Sequence, residues 1–376
     1  MDYSRLYALP YFTLILIIAT LFLVDRSAYN QRSPNTNKNI GNLSLILYVF
    51  SCFIIFVFFG FRGDVNTDWI AYKNHYDGLN ENEVSFGLEM AFWQSMLIAK
   101  KLGLDYTDFI AISVLLDILL ISIAVKDRKN KLLLLLLYLI FSGGLGFRLG
   151  FNLQRNIKSI LLFFISIKYL ESKDFLRYLL VNLLGALFHS TSLIYIPLYF
   201  FFLRSYPTWV IFSAFLIGNI IYLLNISWMS NIINIMSPYL PGRLVYLSNV
   251  YLSSDTFSQA KGFSSGYIER VLMFALLLRY HNVILNNFKY SYIHLNILYL
   301  YFYLQFFGSE LVIIPDRFAL LFLPGFWLVF CELYDCLSKK RKYAYIIILL
   351  IYTALKHFMI PAPDYIHYES VIFNDF

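Results

Sequence analysis

Apolar runs recur along almost the whole chain, and they restrict the fold more than any other feature. Twelve fall near 6–24, 43–61, 109–125, 131–147, 157–170, 175–189, 190–203, 207–224, 266–281, 292–308, 317–336 and 343–360. A helix needs roughly 20 apolar residues to cross a bilayer, and only helices or closed barrels satisfy their backbone there. Charged residues make up 14% of the chain, against about 25% in a soluble domain. The expectation is an all-α polytopic membrane protein with about 12 transmembrane helices, a single integral membrane domain over 1–376. Its net charge of +7 then belongs to cytoplasmic loops and is no nucleic-acid signal. Cys52, Cys331 and Cys336 form neither a disulfide framework nor a metal-ligand spacing. The first run lacks a small-residue cleavage site and reads as an uncleaved helix.

The basic loops Lys126–Lys131 and Lys339–Lys342 mark the inner side. Fixing them sets the sidedness of the other loops, and Lys and Arg then outnumber acids inside but not outside. Both termini come out on the non-cytoplasmic side. The stretch 175–203 is too long for one crossing and short for two, and basic residues flank both its ends. It reads as a hairpin of two short helices with His189 at the outer apex, or else as one long tilted helix. Two outer segments are substantial. The first, 61–108, contains Phe86–Lys101, an amphipathic stretch expected to lie on or dip into the outer interface with Leu88, Phe92, Ser95, Met96 and Ala99 on its apolar stripe. The second, 225–265, is rich in Tyr, Ser and Asn around Pro238 and Pro241. A tail after Pro361 is also placed outside.

Charged side chains at the ends of these runs are the candidates for chemistry. Arg148, Asn152 and Arg155 fall at i, i+4 and i+7 and share one face of a helix. Planar guanidinium groups suit phosphate or carboxylate, although a snorkelling role at lipid headgroups is the plainer reading. Arg62, Asp64 and Asp68 follow the second run. Arg62 is expected to contact phosphate and Asp68 to act as a base or orienting group, against the alternative of a solvated turn. The two acids are four apart, which is not the spacing of a metal-holding Asp-x-Asp pair. His189 is either a structural hydrogen-bonder or a general base or phosphate ligand. Arg270 beside Glu269, and Arg317 with Glu310 before it, read singly as local ion pairs. Taken together, Arg62, Arg148, Arg155, Arg270 and Arg317 map to one membrane depth and suggest a cavity for a polyanion such as a lipid diphosphate. Asp117, in mid-run, is expected to be paired inside the bundle. No nucleotide-binding loop or hydrolase motif is present, so an activated substrate carrying its own leaving group fits better than ATP.

Three motifs resemble one family. Phe61-Arg62-Gly63 with Thr67-Asp68 and Tyr72, Asn152-Leu153-Gln154-Arg155-Asn156, and Leu187-Phe188-His189-Ser190-Thr191-Ser192-Leu193-Ile194 with Pro197 look like the signatures of the EpsG/Wzy-type polysaccharide polymerases. Asn156 and Lys158 depart from the family pattern after the helix arginine. The resemblance implies a multi-pass enzyme of the bacterial inner membrane, with its active site facing the periplasm. Such enzymes join undecaprenyl-diphosphate-linked oligosaccharide units into O-antigen, lipopolysaccharide, capsule or exopolysaccharide, and undecaprenyl diphosphate leaves. In those terms the five arginines hold the diphosphate, and Asp68, His189 and Arg155 carry the chemistry. Asp64, Asn152 and Glu310 orient the glycan, and no metal or other cofactor is expected. Donor and acceptor are both lipid-linked, membrane lipid surrounds the site, and a chain-length regulator protein is a further partner to consider. A lipid-linked glycan ligase or single-sugar glycosyltransferase is the nearest competing reading. A flippase is the other; it predicts inverted repeats and a midplane cavity, and no repeat is visible.

Overall fold

The computed structural model describes residues 9–30, 37–64, 67–79, 89–142, 153–239, 262–311, 313–359, 368, 370 and 371. Among them every element is helical, and an isolated bridge between Arg62 and Ser370 is the one strand-like pairing. Each of the twelve apolar runs contains a helix. By length and composition, however, three helices among the described residues can cross a membrane (Leu9–Tyr29, Gly41–Gly60 and Tyr106–Val125), or up to five if each of two bent pairs is one span. The shortfall from twelve has a physical cause. Helices such as Lys131–Ile140 and Phe175–Phe188, with 10 and 14 residues, fall below the roughly 20 residues a straight crossing needs, while Ser265–Asn287 and Lys339–Met359 are long enough but carry several charged residues.

The chain divides into two compact units, Met1–Tyr199 with Leu337–Phe376, and Phe200–Cys336. The first is built from α1 (Leu9–Asn30), α2 (Asn37–Gly60), α3 (Thr67–Gly78), α4 (Met90–Lys101), α5 (Tyr106–Val125), α6 (Lys131–Ile140), α7 (Gln154–Glu171) and α8 (Phe175–Phe188). A 3-10 turn at Ser190–Ile194 and the start of α9 (Tyr195–Phe202) complete its central part. α6 is buried on every side except at its N-terminal lysine, and α7 is nearly as enclosed. α6 therefore reads as an uninterrupted apolar run rather than an amphipathic one, whereas α7 also buries polar groups in its first turns, Gln154, Asn156, Lys158 and Ser159.

The expected hairpin over 175–203 is present. His189 sits in extended backbone (φ −152°, ψ 127°) between α8 and the 3-10 turn. Phe175 and Tyr199 meet with ring centroids 4.9 Å apart, whereas a continuous helix would separate them by about 36 Å. The Tyr178 hydroxyl donates to Tyr195 O at 2.6 Å, and Ser192 Oγ donates to Asn182 O at 3.0 Å. A Cβ on Gly185 would strike Ser192, so the close return of the chain requires glycine there.

The described residues of the stretch 61–108 include two helices, α3 and α4, before α5 begins. Phe92, Met96 and Ala99 of α4 are buried, with Phe92 against Tyr72 of α3 and Phe109 of α5. Lys100 Nζ donates to the carbonyls of Tyr76, Asp77 and Leu79, a cation closing the C-terminus of α3. Asp105 and Asp108 form a reciprocal capping box that starts α5.

The two ends of the first unit can be told apart. At one, the Tyr106 hydroxyl meets Gln154 Nε2 at 3.2 Å, and the Tyr11 hydroxyl donates to Leu139 O at 2.7 Å. At the other, Arg128 pairs with Glu171 at 2.6 Å. The C-terminal helix α15 (Lys339–Met359) returns to α1, where His357 stacks on Tyr11 at 5.4 Å.

The second unit holds α10 (Thr208–Leu223), α11 (Trp228–Met236), α12 (Ser265–Asn287), α13 (Ser291–Phe307), a turn over 314–322 and α14 (Pro324–Cys336). Its core is aromatic: Phe215 stacks on Phe274 at 4.0 Å, and Tyr222 on Tyr267 at 4.8 Å. Gly325 lets α14 approach α13 closely, since a Cβ there would come within 2.6 Å of the Leu298 amide.

Candidate active site

Arg155 is the second residue of α7, so its side chain leaves an enclosed helix just where the helix begins. Its Nε donates to the Tyr72 hydroxyl at 3.0 Å and its Nη1 to Glu89 Oε2 at 2.5 Å. The guanidinium also lies 5.1 Å from the Trp93 ring centroid and 5.8 Å from that of Tyr72. Two aromatic faces and a carboxylate thus fix a cation in a semi-enclosed setting, where its hydrogen bonds are stronger than in water.

Glu89 ties this cation to the hairpin apex. Its Oε1 accepts from the Ser190 amide at 3.1 Å and the Ser190 hydroxyl at 2.9 Å, and its own amide donates to Ala186 O at 3.1 Å. His189 Nδ1 lies 3.8 Å from the same oxygen. Burial pushes the Glu89 carboxyl up, but the Ser190 amide, the Arg155 guanidinium and His189 outweigh it and hold it below the ordinary carboxylate value. Burial raises the Tyr72 phenol, with Arg155 opposing.

His189 serves the turn that it begins. Its Nδ1 accepts from the Thr191 amide at 3.2 Å and lies 2.8 Å from the Thr191 hydroxyl. A ring nitrogen that accepts an amide proton leaves the neutral imidazole protonated at Nε2. In that tautomer His189 donates from Nε2 and is not a base there. Asp68, in the first turn of α3, is half-buried and acts electrostatically on Tyr72 and Tyr106. It therefore borders the Arg155 group.

The other predicted residues are placed differently. Arg62 is 1% exposed; its Nη1 donates to Phe59 O at 3.0 Å, and its backbone bridges to Ser370. The tail reinforces this turn: the Val371 amide donates to Phe61 O at 2.9 Å, and Tyr368 stacks on Phe58 at 4.2 Å. Arg62 thus faces the interior, in the field of Asp117, and is not an open phosphate contact. Asp117 is paired as expected, with Lys158 Nζ at 3.0 Å. Lys158, one of the departures from the family pattern, is therefore matched by an acid from a neighbouring helix.

Asp64 is exposed. Glu310 accepts from the amides of Met229 and Ser230 at 2.7 and 3.1 Å and from the Ser230 hydroxyl. That makes it the N-terminal cap of α11. Arg270 is half-buried near the start of α12, with its guanidinium over Gly266, and Arg317 is exposed in the turn before α14. Both belong to the second unit. Arg148, Asn152 and the Tyr-rich part of the second outer segment beyond Tyr239 lie outside the described residues.

Glu89 and Trp93 were not singled out in the sequence. Glu89 stands directly before the apolar stripe of α4, an acid at the head of an amphipathic helix, and that local signal names no partner. A family model described as EpsG family matches residues 45–370. No curated protein and no solved structure matches the chain.

Proposed function

The chain belongs to the EpsG family, a membership that points to polysaccharide polymerisation, and from that premise we propose that it joins undecaprenyl-diphosphate-linked repeat units by glycosyl transfer. The observation that carries this reading is the Arg155 guanidinium, 2.5 Å from Glu89 and beside the His189-Ser190 apex. The donor's leaving group is a diphosphate. A guanidinium within reach of it stabilises the negative charge that develops as the anomeric carbon–oxygen bond breaks. The Tyr72 and Trp93 faces hold that cation in place and offer a surface for a sugar ring. His189, donating from Nε2, suits a phosphate or sugar oxygen, and Asp68 orients the acceptor from the edge of the group.

The sidedness of the first unit supports a periplasmic site. Lys126, Arg128, Lys129 and Lys131 lie at the end opposite Arg155, and cytoplasmic loops carry excess Lys and Arg. In this reading the chain crosses a bacterial inner membrane about twelve times, with several short helices tolerated by local thinning of the bilayer. Lipid tails reach the site laterally between helices. The product is O-antigen, capsule or exopolysaccharide, and a chain-length regulator is a natural partner.

The test is reconstitution. Proteoliposomes of the full chain supplied with undecaprenyl-diphosphate-linked repeat units are expected to yield a ladder of glycan lengths, insensitive to EDTA. Transfer of one sugar only, with activity lost in EDTA and restored by magnesium, would favour a metal-dependent glycosyltransferase instead.

A further inference from the structure

Glu89 is held more elaborately than an ion-pair partner requires. Its backbone is left-handed, with φ 69°, a conformation unfavourable for a non-glycine residue that persists only where its surroundings enforce it. Here the enforcement comes from far along the chain. The Ala186 carbonyl takes its amide, Arg155 takes one carboxylate oxygen, and the Ser190 amide and hydroxyl take the other. Arg155 and Ser190 are 66 and 101 positions away in sequence. The side chain keeps 19% of its surface exposed, so an incoming hydroxyl can reach it.

We propose that Glu89 is the base that takes the proton from the acceptor sugar's hydroxyl, and that binding of the donor diphosphate releases it for that task by drawing Arg155 away. This inference rests on the polymerase reading. In the step, the acceptor hydroxyl oxygen bonds to the donor's anomeric carbon. The bond from that carbon to the diphosphate oxygen breaks, and its electron pair leaves on the diphosphate, which Arg155 meets. The hydroxyl proton passes to the Glu89 carboxylate and later to water.

The geometry favours this residue over the two expected from sequence. His189 Nδ1 already accepts the Thr191 amide, and Glu89 is the carboxylate bonded to Arg155, so it is the one that a diphosphate taking Arg155 would release. The exchange is also electrostatically reasonable. A carboxylate bound to a guanidinium is a weak base; a diphosphate carries more charge than a carboxylate and competes for the same planar donor. Once Arg155 turns to it, Glu89 loses the cation that suppresses its basicity. The groups facing Glu89 are then Ser190, His189 from the apex and Tyr72 from α3.

The experiment compares wild type, Glu89→Gln and Glu89→Asp in proteoliposomes with a synthetic undecaprenyl-diphosphate oligosaccharide. Extension rate is measured against pH, and binding of the same lipid separately. Glu89→Gln is expected to bind the lipid within about threefold of wild type, lose about 10²–10⁴-fold in rate and lack the acid limb of the pH profile. Glu89→Asp, which keeps a carboxylate, retains a measurable rate and an acid limb, and it decides the matter if the glutamine variant does not fold. Extension by Glu89→Gln within threefold of wild type with an unchanged pH profile would overturn the proposal. So would a folded Glu89→Asp whose rate does not fall in acid. Wild type that makes no polymer at all fails at the earlier step and removes the polymerase reading itself.

Discussion

The first unit contains two sets of charges that use the same residue types for opposite ends. Arg62, Asp117 and Lys158 lie inside the helix bundle: Arg62 is 1% exposed and the Lys158 side chain 3%, and Asp117, though its side chain is 14% exposed, is tied to that buried lysine. Arg155, Glu89 and His189 lie at its rim, with side chains 25%, 19% and 14% exposed. A charge inside an apolar bundle must keep its partner, because an uncompensated ion there costs several kcal/mol. A charge at the rim can exchange a protein partner for a ligand, since water and ligand both reach it. Arg62 has thus become a fastener between the end of α2 and the C-terminal tail, while Arg155 is available for chemistry. Lys158 is only one turn beyond Arg155 on α7, so a single helical turn divides the structural role from the functional one.

The sharpest test of this division is Lys158→Met. Leaving Asp117 buried without its cation is expected to cost about 3–5 kcal/mol, read from thermal or denaturant unfolding in detergent. Adding Asp117→Leu is expected to restore most of that stability. A folded, stable Lys158→Met protein that has lost chain extension would instead join the buried set to the catalytic machinery. Arg155→Ala comes next: loss of an oriented donor at the leaving group is expected to slow extension about 10²–10³-fold with little change in unfolding midpoint. Normal long glycans from this variant in a deletion strain would end the assignment of the rim group. Arg62→Ala is expected to behave in the other way, lowering the amount of folded protein while leaving glycan length normal in what remains.

Tyr72→Phe probes the rim more gently. It keeps the ring face but removes the hydroxyl that accepts from Arg155 Nε, a bond to a charged group worth about 1.5–3 kcal/mol, and a roughly tenfold fall in extension rate is expected. The smallest effect is acid loosening of the apex. The folded Glu89 carboxyl is held below its ordinary value, so its stabilising contribution is complete above the unfolded pKa of about 4.3 and is lost as pH falls through the lower folded value. Hydrogen exchange at the Ser190 amide, corrected for its intrinsic rate, is expected to be unchanged from neutral pH to about pH 5 and to quicken only below the ordinary carboxylate range. Quickening already at pH 6 would assign the tie to His189 rather than Glu89.

Much of the architecture was legible from periodicity and composition. The helical runs, the break at His189, the pairing of Asp117 and the position of Arg155 at a helix start all follow from where apolar stretches stop and charges or extended backbone intervene. These are local signals, set by the cost of exposing apolar side chains and of burying lone charges. The same rules could not separate Arg62 from Arg155, because each is an arginine at the end of an apolar run. Their fates diverge because the Arg62 side chain is buried against Phe59 O in the field of Asp117, whereas that of Arg155 reaches a polar rim. The number of straight crossings likewise departed from the hydropathy count, because helix length depends on where packing and turns end each helix.

What the sequence determined by itself is a helical chain built around buried apolar runs, with cations at their ends, since burial energy scales with apolar area wherever that area lies along the chain. What only the tertiary structure decided is which of those cations is locked inside and which faces outward, and that Glu89 is the carboxylate it meets. Pairing of residues 66 positions apart leaves no trace in local periodicity; it exists only once α3, α4, α7 and the hairpin apex have packed together.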